Sequence, residues 1–219
     1  MCTLTQEAID DILSKGRIFE VGGAVRDRLL FGEGRVHDRD YLVTGIPYDE
    51  LSSVLRKYGR VDLVGRSFGV IKFTQPGANG SQTLDITLPR CEHSTGTGHR
   101  DFNVAFDPHL KVEEDLARRD FTVNAMALAL DNGELIDPLN GREDIQQRRI
   151  RMVYDDSFKD DPLRMLRAVQ FAARFEFTVE PATFEAMKRL APMIQTVSSE
   201  RIAEELNKLL CLAEKPSVG

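Results

Sequence analysis

At 219 residues, 42% hydrophobic and 29% charged, the chain has the make-up of a soluble globular protein of one large domain or two small ones. No apolar run approaches the ~20 residues of a membrane span, and the acidic start MCTLTQEAIDDIL lacks a basic n-region, so no spanning segment or secretory signal is expected and the expected location is the cytoplasm. The net charge of -6 argues against broad non-specific nucleic-acid binding and leaves the clusters Arg118-Arg119 and Arg148-Arg149-Ile150-Arg151 as candidates for a local basic groove.

In chain order, residues 5–14 carry Ala8, Ile9, Ile12 and Leu13 at helical spacing, with Gly16 as a stop. Residues 17–21 read as a first strand, 24–30 as a helix and 40–44 as a second strand. A helix follows from Pro47, with Leu51, Val54 and Leu55 on its apolar side. Strands are expected over 60–64 and 69–74, then, after a loop over 75–82, over 83–89. Strand following strand predicts a mixed sheet with a hairpin. In the last strand Leu84, Ile86 and Leu88 share one face, and Thr83, Asp85 and Thr87 share the other.

Residues 91–115 hold His93, His99 and His109 without paired spacing and read as a long irregular segment. Residues 113–130 read as helical, with Leu116, Val123, Ala127 and Leu130 as the apolar stripe. Asp131-Asn132-Gly133-Glu134 is a turn before Leu135-Ile136. From Phe158 the chain reads as wholly helical, with Leu163, Leu166, Val169 and Ala173 buried. Further helix starts are expected at Pro181 and at Ser198-Ser199-Glu200. The resulting class is α/β (α+β), a mixed-sheet head over residues 1–145 followed by an all-α unit over 146–219. Cys2, Cys91 and Cys211 match neither a zinc site nor a disulfide framework and are expected to be reduced and structural.

The chemistry concentrates in residues 19–41, FEVGGAVRDRLLFGEGRVHDRDY. Gly22-Gly23 lets backbone approach a ligand, and the helix behind it offers N–H groups, with Arg26 in its first turn, to an anion. Asp38 and Asp40 lie two apart on an extended segment, so they face the same way and can share a divalent cation. Phosphate and metal in one place is what phosphoryl or nucleotidyl transfer requires. Asp85 is a candidate third carboxylate; its alternative is an ordinary solvent-facing strand residue.

The motifs VGGAVRD at 21–27 with Asp38 and Asp40, RRDFTVNAMA at 118–127, IDPLNGREDI at 136–145, DDPLRMLRAVQFAAR at 160–174 and SERIAEELNKLL at 199–210 come in the order of one family. The chain resembles the class II nucleotidyltransferases, the bacterial tRNA CCA-adding enzymes and poly(A) polymerases. The resemblance implies a nucleotidyltransferase head, a helical neck, and a body and tail that hold tRNA. Because the sequence stops about where neck gives way to body, a truncated or catalytic portion is expected. It implies Mg2+ at Asp38 and Asp40, with Asp85 completing the catalytic set. It further implies triphosphate contacts from Gly22, Gly23 and Arg26, and ribose or phosphate contacts from Arg119, Asp120 and Asn124.

Asp161, Arg164 and Arg167 are expected to form one helical edge that accepts from and donates to the pairing edge of ATP or CTP and opposes GTP and UTP. Two departures stand out: Asp160 where the family has Glu, and Gln170 where it has Arg. The segment 64–69, VGRSFG, resembles the tRNA enzymes, and the loop around 98–102 is one that enzymes adding only CC partly lack. Addition of CMP and AMP to the tRNA 3′ end from CTP and ATP is therefore the expected activity. Poly(A) synthesis and CC addition are the alternatives within the family, and a non-catalytic RNA- or nucleotide-binding module is the alternative outside it.

Overall fold

The computed structural model describes residues 3–36, 38–65, 69–77, 80–94 and 102–213. Two compact units share them, Met1–Leu116 with Met126–Pro138, and Ala117–Ala125 with Leu139–Gly219. The division expected near residue 145 is thus replaced by an interleaved one. The segment Ala117–Ala125 belongs with the second unit because Phe121 bridges Met152 and Thr122 Oγ1 donates to the buried Asp144 at 2.6 Å.

In the first unit, α1 (Gln6–Leu13) starts at Thr5, whose hydroxyl accepts from the Ala8 N–H. β1 (Arg17–Val21) leads through Gly22 into α2 (Gly23–Phe31); β2 (Asp40–Thr44) and α3 (Tyr48–Leu55) follow. β3 (Arg60–Gly65), β4 (Val70–Gly77) and β5 (Gly80–Thr87) form a meander. The loop expected over 75–82 is mostly strand, since Gln75, Pro76 and Gly77 pair with Gln82, Ser81 and Gly80. The irregular stretch expected after residue 91 contains an antiparallel pair, β6 (Arg90–Ser94) and β7 (Phe102–Phe106), ahead of the short α4 (Val112–Leu116).

The long helix expected over 113–130 is not formed. α4 ends at Leu116, residues Thr122–Asn124 make one 3-10 turn, and β8 (Ala127–Ala129) joins the sheet beside β1. The apolar Ala-Met-Ala-Leu-Ala run has helical propensity, but β1 offers it a ladder that outweighs any local preference. The turn at 131–134, with Gly133 at φ 72°, then connects β8 to β9 (Leu135–Ile136).

Among the described residues these strands form one sheet ordered β3-β4-β5-β2-β1-β8-β9, antiparallel except for the β2–β5 pair. Its mixed character agrees with the expectation. Alternation gives the β2, β4 and β5 part of the sheet two unlike faces. Tyr41, Val43, Ile71, Phe73, Leu84, Ile86 and Leu88 form a buried core with Leu4, Ala8 and Ile12 of the N-terminal segment and Leu51, Val54 and Leu55 of α3. Each Val, Leu, Ile or Phe side chain among them contributes about 1.5–3 kcal/mol by leaving water. On the other face stand Asp40, Lys72, Thr74, Thr83, Asp85 and Thr87, none of them buried. A polar face on an otherwise well-packed sheet is where a site belongs.

The second unit is helical: α5 (Gly141–Gln146), α6 (Ser157–Asp160), α7 (Leu163–Phe175), α8 (Pro181–Leu190) and α9 (Ser199–Leu212). Helix α9 is capped as expected by the Ser198 hydroxyl. The tract after Phe158 also includes a strand. β10 (Arg149–Ile150) pairs in parallel with β11 (Thr178–Val179). On α7 Leu163 and Ala173 of the expected stripe are buried, together with Met165, Ala168, Phe171 and Ala172, while Leu166 and Val169 are only half-buried. Cys211 on α9 is an exposed free thiol and not a structural core residue; Cys2 lies outside the described residues.

Candidate active site

The first acids are set by β2. Asp38 and Asp40 are exposed while Arg39 between them is buried, as extended backbone demands. Arg39 holds this orientation from below. Its guanidinium pairs with the buried Glu20 of β1 and with Glu33, and Arg28 of α2 pairs with Glu20 at 2.8 Å and with Glu33 at 2.6 Å. Burial opposes the charge on Arg39, and the Glu33 and Glu20 carboxylates more than offset it, raising its pKa. The Arg39 hydrogen bond in turn holds the Glu33 carboxyl below its usual range. This buried network ties the acid segment to the strand and helix on either side of the glycine turn, and nothing in the local sequence signalled it.

Register brings the third acid alongside. In the parallel β2–β5 pair Asp40 lies opposite Asp85, so the two side chains emerge on one face about 5 Å apart. Asp38, Asp40 and Asp85 line one cavity of about 330 Å³, together with Arg39, Lys72, Thr83 and Leu84. Lys72, which the sequence reading passed over, sits opposite Asp85 on β4 and donates to both its oxygens at 2.8 and 3.1 Å. Among the described residues no three acidic, histidine or cysteine side chains converge on a single metal position. The donor set is nonetheless of the right kind, because carboxylates facing one cavity suit a hard divalent cation that keeps waters and takes phosphate oxygens.

The glycine turn adjoins the acids, since Val21, the register partner of Asp40, immediately precedes it. Gly22 has φ 68° and ψ -128°, a conformation that only glycine adopts without strain, and its carbonyl accepts the Arg26 N–H, the first bond of α2. The Gly22 N–H donates to the Met126 carbonyl at 3.3 Å. Arg26 is buried, and its Nε and Nη2 both donate to Asp27, at 2.8 and 2.6 Å. The guanidinium expected to reach an anion is therefore paired with its neighbour in sequence.

The second unit gathers the other expected residues. Asp120 accepts from the Phe121 N–H at 2.8 Å and from the Asn124 amide at 3.1 Å, and pairs with Arg167 at 2.7 Å. Arg119 donates to the Asn124 carbonyl. Arg164 donates to the Tyr154 hydroxyl, to Ser157 and to the Arg118 carbonyl. Burial, followed by the hydrogen bond to Asp160, pushes the Tyr154 phenol up to about 12, so the ring stays neutral.

Asp161 departs from the expected geometry. It is extended at φ -144°, ahead of α7 rather than one helical turn before Arg164, and it pairs with Arg201 of α9 at 2.8 Å. The edge is drawn together instead by charge. Burial opposes the Arg167 cation, and Asp120, then Glu205 and Asp161, overcome it and raise its pKa. Arg201 and Tyr154 are supporting residues that sequence reasoning missed; the SERIAEEL motif was the available signal for the former. The basic cluster at 148–151 is largely consumed, as Arg149 and Arg151 pair with the fully buried Asp144 at 2.6 and 2.8 Å. The segment 66–68 and the loop residues 98–101, on which the reading of sub-activity leaned, lie outside the described residues.

Burial works against the Asp120 carboxylate, but Arg167, Asn124 and the Phe121 N–H more than offset it and hold its pKa below the ordinary value. The unfolded chain therefore binds this proton more tightly. The stabilisation is complete above the ordinary carboxylate pKa of ~3.9 and is lost as pH falls through the depressed folded value. Chemical denaturation in this acid range is expected to show stability falling with pH in the wild-type protein and a flatter profile in Asp120→Asn.

A family model described as the poly A polymerase head domain matches residues 18–151, and one described as a probable RNA and SrmB-binding site of polymerase A matches residues 176–217. The chain is 40% identical over 203 residues to a multifunctional CCA protein of Stenotrophomonas maltophilia, covering 90% of this chain and 47% of that protein. It is 40% identical over 206 residues to a CCA-adding enzyme of Actinobacillus succinogenes, covering 92% and 48% respectively. Among solved structures, the Bacillus stearothermophilus CCA-adding enzyme in complex with CTP superposes with a TM-score of 0.76 at 32% identity, over 93% of this chain and 47% of that one. The Thermotoga maritima CCA-adding enzyme complexed with tRNA_CCA gives 0.74 at 28% identity, over 98% and 50%. The chain thus spans about half the length of the relatives it matches.

Proposed function

The chain belongs to the poly(A) polymerase head-domain family, and from that premise we propose that it is a nucleotidyltransferase adding CMP and AMP from CTP and ATP to the 3′ end of tRNA, with release of pyrophosphate. The observation that carries this reading is the polar row on the sheet. Asp40 and Asp85 stand in register, Asp38 faces the same cavity, and the glycine turn follows directly on the strand residue opposite Asp40. The CTP complex and the tRNA complex among the structural relatives support the choice of substrates.

In this reading Asp38 and Asp40 hold the catalytic cation, Mg2+, and Asp85 completes the acid row. When bound, the cation supplies charge neutralisation for the phosphate oxygens and lowers the barrier to attack by a ribose hydroxyl. Gly22 and Gly23 bring backbone up to the triphosphate, and the first N–H groups of α2 donate to it. Within the second unit, Arg119, Asp120 and Asn124 are the proposed ribose or phosphate contacts, and Asp161, Arg164 and Arg167 the proposed readers of the base. Among the described residues no helix is long and apolar enough to cross a membrane.

The test is incubation with a tRNA transcript lacking its CCA end, Mg2+ and each labelled nucleotide in turn. Incorporation of CMP followed by AMP is expected, with none of GMP or UMP. A long tract from ATP alone would identify poly(A) synthesis, and nucleotide binding without incorporation would identify a non-catalytic module.

A further inference from the structure

The acid row ends in a cation of the protein's own. Across three neighbouring strands the register runs Lys72, Asp85, Asp40, and the Lys72 ammonium sits on both oxygens of Asp85 in the cavity that Asp38 and Asp40 also line. The pair is open to water, with side-chain exposures of 48% and 39%, so it contributes little to stability. Its electrostatic effect is local. Three carboxylates in one cavity repel one another, while the Arg39 guanidinium is engaged by Glu20 and Glu33 on the buried side. Lys72 offsets the third acid, Asp85. An ammonium at that position competes with any divalent cation for Asp85, and the lysine's long stem lets it move when the cation wins.

We propose that Lys72 is an exchangeable counter-ion. It holds Asp85 while the cavity lacks a divalent cation and, once a cation takes that carboxylate, turns its ammonium to a phosphate oxygen of the nucleotide or of the departing pyrophosphate. The inference rests on the cation reading of Asp38 and Asp40. It adds a substrate-contacting residue on a strand outside the glycine turn and the acid motif.

The experiment is equilibrium binding on the full chain. Mn2+ is counted by electron paramagnetic resonance, and inorganic pyrophosphate is titrated by calorimetry at saturating Mn2+. In Lys72→Met, with the competitor gone, Mn2+ is expected to bind about five-fold more tightly. Pyrophosphate is expected to bind about ten-fold more weakly, and Lys72→Arg to restore most of that loss. A Lys72→Met protein within two-fold of wild type in either measurement overturns the proposal and leaves the pair an ordinary surface bridge. Asp40→Asn separates the two levels. If wild type binds Mn2+ no better than Asp40→Asn does, the cation reading itself fails, whereas Mn2+ binding that needs Asp40 but ignores Lys72 sinks only the exchange.

Discussion

Asp40→Asn is expected to lower the rate of nucleotide incorporation by about a thousandfold, equivalent to about 4 kcal/mol of transition-state stabilisation, without unfolding the protein. Asparagine keeps the shape of the side chain and one acceptor oxygen but removes the charge that a hard cation requires. Asp40 is exposed at the start of β2, so the substitution leaves no cavity. Its backbone pairing with Val21 and Asp85 does not involve the side chain. Thermal unfolding should therefore match wild type, and the defect should persist at saturating nucleotide. Asp38→Asn should behave alike, whereas Asp85→Asn should cost less, because a cation must first displace Lys72 from that carboxylate to use it. Equal defects at all three positions would mean that Asp85 binds the cation as fully as the other two acids do. An Asp40→Asn protein that retained more than a tenth of wild-type activity would dissociate the acid pair from the chemistry.

The acids were legible because their signal is local. Two carboxylates spaced by one residue, entering an apolar strand after a glycine turn, are set by alternation alone, and β1 and β2 run over the residues where that alternation places them. Helix α9 was equally readable from its Ser198 cap and amphipathic spacing. What the sequence hid is nonlocal. Residues 127–129 have helix-forming composition and become β8 only because the edge of β1 takes them up. Buried charge was hidden for the same reason. Glu20, Arg39 and Asp144 sit in apolar or mixed contexts in the chain, and their partners come from other elements: Glu20 pairs with arginines 8 and 19 residues away. The role of Lys72 depends on the register of β4 against β5, which no local pattern specifies.

Arg164→Ala is expected to erode discrimination among nucleotides by about 10- to 100-fold while lowering the use of ATP and CTP, because a mismatched base otherwise strands buried polar groups at about 1–3 kcal/mol each. In the proposed reading Arg164 acts as a fixed reader rather than as part of a surface ion pair. The Arg164 guanidinium is clamped by the Tyr154 hydroxyl, by Ser157 and by the Arg118 carbonyl, so its rotamer is set before any ligand arrives. Asp161 is held from two sides, by the Leu163 N–H and by Arg201, and its carboxylate retains lone pairs for a donor. An acceptor and a donor fixed in this way suit the exocyclic amine and unprotonated ring nitrogen of adenine and cytosine, and oppose the carbonyl and ring N–H of guanine and uracil. Arg201→Ala should cause a milder loss of discrimination than Arg164→Ala, since it frees the Asp161 carboxylate without removing it. The decisive quantity is the ratio of kcat/KM for CTP to that for UTP, measured in one protein preparation. Any loss of folded protein scales both values equally and cancels from the ratio. A fall in that ratio reports base reading, whereas an equal drop for all four nucleotides would reduce Asp161 and Arg164 to supports of the fold.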